Sequence, residues 1–468
     1  MRTYLSLLGV GVLVFAAFAG PRLRIHSDDN HFVYLADAFL HGSLELVRRP
    51  HHQNDWASYE TIQLRGESAA KLGPEVSGFF TRAPGKPNEF RTLQREDVEL
   101  PLRDRGESTR HTFVSFPPMP AILMLPSVAL IGYGTNDVLF TVLFAAFNCV
   151  AVFGLMRLLR RRGYSERADA DFRWLTVLFA FGSAHLWCAV LGEVWFTALI
   201  LGVTFQLGFL YFALDARRPL LAGLCMAAAF STRATLVVAA VFFYLQLFFP
   251  NDGQRHPRRE IIKRFALFSA PCATAGLLLL AYNQARFGDP MEFGHVYLAG
   301  GTIPRIRDYG LFHPHFIPRN LAAAFALLPK ITTAAPYLKL SKHGMSLLLT
   351  TPALLWLFRG LLMRRSARPA MPSPARRRLT LHLTLTTLVI AVPIFLYQNT
   401  GWEQFGFRFV LDFLPYLIAL LALGTWRLSR AFKIAVVVGI LVNAFGAVTF
   451  KRPGMQGLYG DHLPAKLD

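Results

Sequence analysis

Two adjacent carboxylates, Asp28 and Asp29, follow the first apolar segment of the chain, within Ser27-Asp28-Asp29-Asn30-His31. Charged groups are costly at membrane depth, so two carboxylates at the end of an apolar segment suggest a functional role. A partly desolvated carboxylate within hydrogen-bond reach of a hydroxyl can take its proton as a general base. Because Asp-Asp pairs also occur in solvated loops, the pair is a candidate only together with other residues.

Three arginines could supply the opposite charge: Arg233, Arg286 and Arg408. Arg233 and Arg408 lie at the ends of apolar segments, where an isolated guanidinium is costly unless it meets an anion. Arginine binds phosphate oxygens in bidentate fashion and can stabilise the charge of a departing phosphate. Snorkelling to ordinary lipid headgroups explains Arg233 equally well. Arg286 is a weaker candidate of the same kind.

Four further side chains are candidates for contacts with a substrate: His31, Glu193, His295 and Trp402. Glu193 lies near a predicted helix junction and could position an acceptor, a water or a metal, although a capping role is the commoner one. The two histidines could offer polar contacts, but structural interfacial histidines are also commoner. Trp402 differs from the other tryptophans, which we interpret as belt and packing residues, because an aromatic face can stack on a sugar.

A metal site is weighed because acidic residues and histidines crowd the same stretch: His26, Asp28, Asp29, His31, His51, His52 and Asp55. Such groups can bind a divalent ion. Their spacing is irregular, and the stretch contains no His-x-x-x-His pair. We therefore expect no required metal and no cofactor, while a divalent ion remains an open alternative. The sequence also contains no nucleotide-binding glycine-rich loop.

The composition is that of a polytopic membrane protein. Of 468 residues, 53% are hydrophobic and 17% are charged, below the roughly 25% of soluble domains, and the mean hydropathy is +0.36. The net charge of +20 does not indicate a nucleic-acid binder, because 13 Lys/Arg face 14 Asp/Glu between Pro21 and Pro117. The basic excess lies in short connections between apolar segments. All four cysteines fall within apolar segments, so a disulfide framework is not expected.

Apolar runs near helix length recur along the whole chain. We predict an all-α bundle of about eleven transmembrane helices within one membrane-embedded domain, residues 1–468. Segment 219–250 is interpreted as two short helices meeting at Arg233, and the run 4–20 as a retained first helix rather than a signal peptide. The other predicted spans are 136–156, 174–191, 194–214, 265–283, 344–363, 379–398, 409–426 and 434–450.

The basic connections predict the orientation of the helices. With Arg2 inside, every connection assigned to the cytoplasm is rich in arginine and lysine, as the positive-inside rule expects. Two long segments then face outward, residues 21–117, which carry the acidic pair, and residues 284–342. Segments 119–131 and 317–329 are too short to span easily, so we predict outward-facing helices at the membrane surface.

Four motifs, taken in order, resemble those of the GT-C superfamily of integral-membrane glycosyltransferases. The acidic pair precedes an aromatic residue and an apolar stretch ending near Gly42, and Ser115-Phe116-Pro117-Pro118 resembles the Pro-rich start of a juxtamembrane helix. The other motifs are 282–290 with 292–295, and 401–409 with 414–415. Protein O-mannosyltransferases and aminoarabinose transferases are relatives of this type. The resemblance makes Asp28 the match to the catalytic aspartate and Asp29 its acidic neighbour, where Glu is commoner.

The resemblance implies sugar transfer from a polyprenyl-phosphate-linked donor to an acceptor hydroxyl of a lipid, glycan or protein. Asp28 would be the general base of an inverting single displacement, and Arg408 and Arg233 would hold the departing phosphate. The protein would lie in a bacterial inner membrane, in contact with membrane lipid, with its site facing the periplasm and no nucleic-acid partner.

Two alternatives remain open. One is a transporter or flippase of lipid-linked saccharides, a class that places charges at mid-membrane and often has repeats, whereas these charges lie at outer ends and no repeat is found. The other is an O-antigen-type polymerase or ligase, whose large loop is expected late in the chain, whereas here the longest loop follows the first span.

Overall fold

The chain is mostly helical in its computed structural model, which describes residues 1–52, 54–81, 85–298, 303–359 and 373–463. The α-helices of these residues are α1 (Arg2–Ala19), α2 (His31–Leu40), α3 (Gly66–Leu72), α4 (Met119–Ile131), α5 (Asp137–Arg161), α6 (Asp169–Phe181), α7 (His185–Ala189), α8 (Glu193–Ala213), α9 (Pro219–Phe230), α10 (Val241–Phe248), α11 (Arg258–Phe287), α12 (Ile303–Tyr309), α13 (Ile317–Leu321), α14 (Leu347–Thr350), α15 (Pro374–Leu396), α16 (Leu414–Leu423) and α17 (Arg430–Thr449).

Six helical segments of the described residues are long and apolar enough to cross a membrane, as expected of a polytopic protein. They are Arg2–Arg24, Asp137–Arg161, Glu193–Ala216, Arg258–Phe287, Pro374–Leu396 and Arg430–Thr449. Five shorter apolar helices have 10–17 residues, too few to span a hydrocarbon core of about 30 Å alone. The predicted count of about eleven spans is therefore not established.

Three of the predicted apolar segments are interrupted in the structure. Segment 219–250 is two helical pieces, as predicted, because α9 ends at Phe230 and Arg233 is extended before the next helical turn begins at Ala234. Segment 174–191 was predicted as one helix but is broken between α6 and α7, at Gly182. In segment 344–363, α14 ends just before Pro352, which begins a separate 3₁₀ turn; residues 360–363 lie outside the described part.

The chain forms two compact units. Unit 1 comprises residues 1–28, 136–273 and 311–468, and unit 2 comprises residues 29–135 and 274–310. Helix α11 belongs to both, with the division at residues 273 and 274. Another of the boundaries falls between Asp28, which belongs to unit 1, and Asp29, which belongs to unit 2.

At one end of unit 1, here called the basic end, residues from two basic stretches of the sequence close the C-terminus of α16. The guanidinium Nε atoms of Arg167 and Arg376 donate to the carbonyls of Leu421 (3.0 Å) and Leu423 (2.6 Å). The hydroxyl of Ser165 donates to the carbonyl of Ala422 at 2.6 Å. These donors satisfy helix-terminal carbonyls, and the positive charges oppose the negative end of the helix dipole.

Two further connections join the basic end through Asp215. The carboxylate of Asp215 accepts from the hydroxyl of Tyr164 at 2.5 Å and from the amide of Asn251 at 3.0 Å. Nearby, Arg378 Nη1 donates to the carbonyl of Pro250 at 3.3 Å. The connections that were predicted to share one side of the membrane therefore meet, through these contacts, at one end of unit 1.

The opposite end of unit 1 contains Ser27, Asp137, Glu193 and Lys451, and is here called the acidic-turn end. Helices α5 and α8 begin there and end beside Tyr164 and Asp215, whereas α17 runs the other way, from Arg430 to Thr449. These helices contain 25, 21 and 20 residues, or roughly 30–38 Å at 1.5 Å per residue. The two polar ends are therefore separated by about the thickness of a hydrocarbon core.

Unit 2 contains a five-stranded antiparallel sheet, so the all-α expectation is wrong for this part of the chain. The strands are β1 (Trp56–Leu64), β2 (Glu75–Phe80), β3 (Glu89–Thr92), β4 (Asp97–Glu99) and β5 (Arg105–Val114), in the order β4-β3-β2-β1-β5. One core cluster contains Ile62, Leu64, Val76, Phe90 and Leu100. In unit 1, β6 (Lys330–Ile331), β7 (Leu338–Ser341) and β8 (Tyr459–Gly460) form a small second sheet.

Two helices of unit 2 match the sequence analysis. Helix α2 follows the acidic pair, is buried from His31 to Ala38 and ends just before Gly42. Helix α4 has the bounds predicted for a short surface helix, 119–131, and ends at Gly132, whose φ of 62° suits glycine. Segment 317–329, in unit 1, is helical as far as Ala326, as α13 and a following π-turn. Their positions at a membrane surface stay predictions.

Candidate active site

The chain entering the acidic turn is fixed by Asp137, the first residue of α5. The backbone N–H of Ser27 donates to Oδ1 of Asp137 at 2.8 Å, and the Ser27 hydroxyl donates to Oδ2 at 2.5 Å. Only 2% of Asp137 is exposed, and its negative charge lies at the positive end of the α5 dipole. Asp28, the next residue, is exposed. The structure thus presents one carboxylate on an anchored turn.

Glu193, the first residue of α8, joins this anchor. It has a φ of 56° and follows Gly192, whose φ is 67°, a backbone shape that β-carbon-bearing residues adopt at a cost. Its N–H points at Ser27 Oγ (3.1 Å) and Asp137 Oδ2 (3.0 Å). Its carboxylate accepts from Lys451 Nζ at 2.6 Å. The Glu193 side chain therefore holds a lysine beside the turn and does not cap α8. Its role toward an acceptor stays a prediction.

Phe196, one turn further along α8, lies between two cations. Lys451 Nζ is 5.9 Å and Arg408 Cζ is 5.2 Å from its ring centroid. Cation–π attraction stabilises both positions, more strongly where the groups are desolvated, and Arg408 is only 4% exposed. A continuous set of contacts therefore leads from Ser27, beside Asp28, through the start of α8 to Arg408.

Arg408 and Arg233 are brought together by a second ring, that of Phe409. Their Cζ atoms each lie 5.5 Å from its centroid. Arg233 also forms a bidentate ion pair with Asp412, with Nε–Oδ1 and Nη2–Oδ2 distances of 2.8 and 2.7 Å. Asp412 is 1% exposed. The two arginines predicted to act together are neighbours, but Arg233 already faces a protein carboxylate, whereas Arg408 contacts the carbonyl of Glu403 at 3.4 Å.

The loop before Arg408 is organised by the buried side chain of Gln404. Its amide nitrogen donates to the carbonyls of His343 and Thr400, both at 2.7 Å, and its oxygen accepts the N–H of Arg408 at 2.8 Å. Gly401 has a φ of 104°, and a β-carbon there would lie 2.6 Å from Gln404 Oε1. One amide therefore fixes the backbone position of Arg408.

Trp402, in the same loop, is 44% exposed, in contrast to the buried Trp187. Its N–H donates to Asn399 Oδ1 at 3.0 Å, and Lys342 Nζ lies 5.5 Å from its ring centroid. Lys342 pairs with Glu403 at 2.6 Å. The loop therefore offers a partly exposed aromatic ring with charged groups beside it. Its stacking on a sugar stays a prediction.

The remaining predicted residues belong to unit 2. Asp29 is buried and accepts from the amide of Asn54 at 3.0 Å. His31 is fully buried, its Nε2 lies 3.0 Å from the Asn54 carbonyl, and its ring stacks on Trp56 with centroids 3.7 Å apart. Burial lowers the pKa of His31 to about 4, so the imidazole is neutral at pH 7.

Arg286 also has local surroundings that account for its burial. Arg286 donates to the Val114 carbonyl and to Asn283 Oδ1, and its guanidinium lies 3.7 Å from the ring centroid of Tyr282. Burial lowers the pKa of His295 to about 4. The structure thus gives Arg286 protein ligands, and its role toward a phosphate stays a prediction.

Four residues of this site were not found from the sequence: Asp137, Gln404, Asp412 and Lys451. Each acts through a partner far along the chain, such as Ser27 with Asp137 or Glu193 with Lys451, and sequence spacing carries no signal for such contacts. Asp412 had one local cue, because it follows Arg408 by four residues in an apolar segment. In the described ranges, no group of three His, Cys, Asp or Glu side chains could hold a metal ion.

Comparisons with known proteins add a distant likeness. No protein-family model and no curated protein sequence match the chain. Among solved structures, the chain is similar to the archaeal oligosaccharyltransferase AglB from Archaeoglobus fulgidus, determined in complex with an inhibitory peptide and a dolichol-phosphate. The TM-score is 0.45 and the identity 10%, over 99% of this chain and 56% of the AglB chain. Similarity at this level does not bear on the chemistry of the present chain.

Proposed function

We propose that the protein is a membrane glycosyltransferase that moves a sugar from a polyprenyl-phosphate carrier to an acceptor hydroxyl. The observation that carries the proposal is the set of contacts linking the acidic turn to Arg408. Ser27, next to Asp28, bonds to the first residue of α8, and Phe196 of the same helix contacts the Arg408 guanidinium. An acid and a phosphate-binding cation on a common support suit a displacement at a phosphorylated sugar.

In this mechanism Asp28 accepts the proton of the acceptor hydroxyl as its oxygen attacks the anomeric carbon. The bond from that carbon to the phosphate oxygen breaks, and the polyprenyl phosphate leaves with the electron pair. Because attack and departure take place on opposite faces, the anomeric centre is inverted. Asp29 then has a supporting role next to the base, and no metal or cofactor takes part in the proposal.

The leaving phosphate is assigned first to Arg408. Its guanidinium can form charge-assisted, bidentate hydrogen bonds to phosphate oxygens, and these strengthen as negative charge develops. Arg233, paired with Asp412, adds positive charge and braces the turn that carries Arg408. Trp402 stacks on a sugar of the donor or acceptor, and Glu193 positions Lys451. In unit 2, His31 and His295 keep their role as candidate substrate contacts, and Arg286 keeps its role as a candidate phosphate ligand.

The site is assigned to the extracytoplasmic side of a bacterial inner membrane. Two arguments support this assignment: the acidic-turn end of unit 1 is separate from its basic end, and the positive-inside rule places basic connections in the cytoplasm. The prenyl chain of the donor would lie in the bilayer, so its phosphate would arrive at the depth of the headgroups. That depth suits the end of unit 1 that contains Glu193 and Lys451.

The test uses the purified full-length protein with a set of polyprenyl-phosphate sugars, and follows sugar release and acceptor glycosylation by mass spectrometry. Asp28→Asn is expected to lower turnover by roughly 10²- to 10⁴-fold, the range for loss of a general base, with donor binding retained. Asp252→Asn, an exposed aspartate beyond α10, is the matched control and should be fully active.

Two outcomes would contradict the proposal. Turnover that survives in Asp28→Asn would remove Asp28 as the base. Absence of sugar release with every donor, combined with movement of intact lipid-linked saccharide across vesicles, would favour the transporter or flippase alternative.

A further inference from the structure

An arginine that follows α1 donates hydrogen bonds to the end of α17, and an arginine that follows α17 donates hydrogen bonds to the end of α1. Arg22, just beyond α1, donates from Nη2 to the carbonyls of Phe450 (3.1 Å) and Lys451 (2.6 Å), beyond the end of α17. Arg452, beyond α17, donates to the carbonyls of Phe18 and Ala19 at the end of α1. Each guanidinium closes the C-terminus of the other helix, where a positive charge is favoured.

The guanidinium groups of Arg22 and Arg452 are close enough to repel each other, and both donate to neutral carbonyls. Nη1 of Arg22 is buried and has no hydrogen-bond partner in the described part of the chain. Lys451 adds a third positive charge, which Glu193 partly offsets through their 2.6 Å contact. A buried donor without a partner is costly, and two adjacent cations attract an anion.

A groove of about 400 Å³ lies beside Arg452 and includes Pro21, the residue before Arg22. It is lined by Ala17, Phe18, Gly20, Pro21, Val448 and Arg452. Exposed apolar residues continue along both helices below it, Leu13 on α1 with 71% exposure and Leu441 on α17 with 65%. Ala17 follows Leu13 by four residues and Val448 follows Leu441 by seven, so each pair shares a helix face.

We propose that this groove binds an anionic phospholipid of the outer leaflet. The lipid phosphodiester would accept hydrogen bonds from Arg22 and Arg452, and one acyl chain would lie in the groove between the two helices. Arginine suits this ligand because its planar donors match phosphate oxygens. The lipid would link α1 and α17. The proposal does not depend on the glycosyltransferase assignment.

The test measures the first tightly bound lipid on the delipidated full-length protein by native mass spectrometry. The ligands are phosphatidylglycerol, a diacylglycerol with the same chains, and inorganic phosphate. Phosphatidylglycerol should bind at least tenfold more tightly than either of the others, because only it supplies both the phosphate and the chains. Arg452→Gln and Arg22→Gln should each weaken phosphatidylglycerol binding by tenfold or more.

A second variant covers the case in which loss of a helix cap prevents folding. Ala17→Trp fills the groove and leaves both arginines in place, so it should weaken phosphatidylglycerol binding while the fold is retained. Leu5→Trp, at an exposed position near the other end of α1, is the control and should bind as the parent does. Unchanged binding by Ala17→Trp would overturn the proposal, as would inorganic phosphate binding as tightly as the lipid.

Discussion

At the residue scale, the ion pair of Arg233 and Asp412 distinguishes an arginine that stabilises the fold from one that could bind a substrate phosphate. The sequence alone cannot make this distinction. Arg233 was a sequence candidate for contact with a substrate phosphate, as a cation at a helix break, whereas Asp412 was not a candidate. The structure gives Arg233 a bidentate partner and leaves 1% of Asp412 exposed. Such a pair is costly to break, because the remaining partner becomes an uncompensated buried charge. Arg408, by contrast, lies against rings and a backbone carbonyl.

A double-mutant cycle tests this division. Arg233→Met is expected to reduce the free energy of unfolding by about 3–5 kcal/mol, since it leaves the buried Asp412 charge unpaired. Asp412→Leu should cost less, because Arg233 is only partly buried. The double variant should recover more than half of the Arg233→Met loss, because it removes both charges. Thermal unfolding in detergent measures the three changes.

Additive losses in the double variant would show that the two groups stabilise the fold independently and would contradict the pairing. Arg427→Met, at an exposed position after α16, controls for loss of a surface charge and should be close to the parent.

Arg408→Lys should keep the stability of the parent and lower turnover, because it retains the charge and loses the bidentate geometry.

At the element scale, the loop 399–408 depends on two glycines that face Gln404. Gly401 and Gly344 have φ values of 104° and 102°, and β-carbons there would lie 2.6 and 3.0 Å from atoms of Gln404. A left-handed backbone and the close approach of a side chain both demand glycine at these positions. The position of Arg408 therefore depends on the packing of Gly401 and Gly344 against Gln404, which in turn binds the N–H of Arg408.

Gly401→Ala is expected to destabilise the protein by about 1–3 kcal/mol and to weaken donor binding, since the added β-carbon displaces Gln404. The control is Gly163→Ala, also at positive φ (75°) but with no atom within 4 Å of the added carbon, so it isolates backbone strain from displacement. Unfolding temperature and donor affinity are measured for both. If Gly163→Ala weakened donor binding as much as Gly401→Ala, displacement of Gln404 would not be the cause.

The elements also show how far the sequence could predict the fold. Helix α4 and the break at Arg233 were predicted because hydropathy and proline or arginine mark them directly. The sheet of unit 2 was not, because charged residues such as Glu60 and Arg110 occupy its exposed face, and a strand with one polar face resembles a hydrophilic loop. The alternation of buried Ile62 and Leu64 with exposed Gln63 was the available signal. Contacts such as Ser27 with Asp137 need the three-dimensional fold.

At the scale of the whole molecule, unit 1 has two polar ends, and the connections that the positive-inside rule places in the cytoplasm lie at one of them. Basic connections distant in sequence converge on α16 and Asp215. The acidic turn lies at the opposite end of α5 and α8. If the basic connections stay on the cytoplasmic side, as the positive-inside rule expects, the acidic-turn end faces outward.

Cysteine labelling in intact cells tests this orientation. The four native cysteines are buried or partly buried, so they should react little with a membrane-impermeant maleimide. Glu107→Cys, at an exposed position of β5 in the segment predicted to face outward, should be labelled without permeabilisation. Asp252→Cys, also exposed but close to the basic end through Asn251, should be labelled only after the membrane is opened. The reverse pattern would place the acidic turn in the cytoplasm, where no extracytoplasmic donor could reach Asp28, and the proposed reaction could not take place on the assigned side.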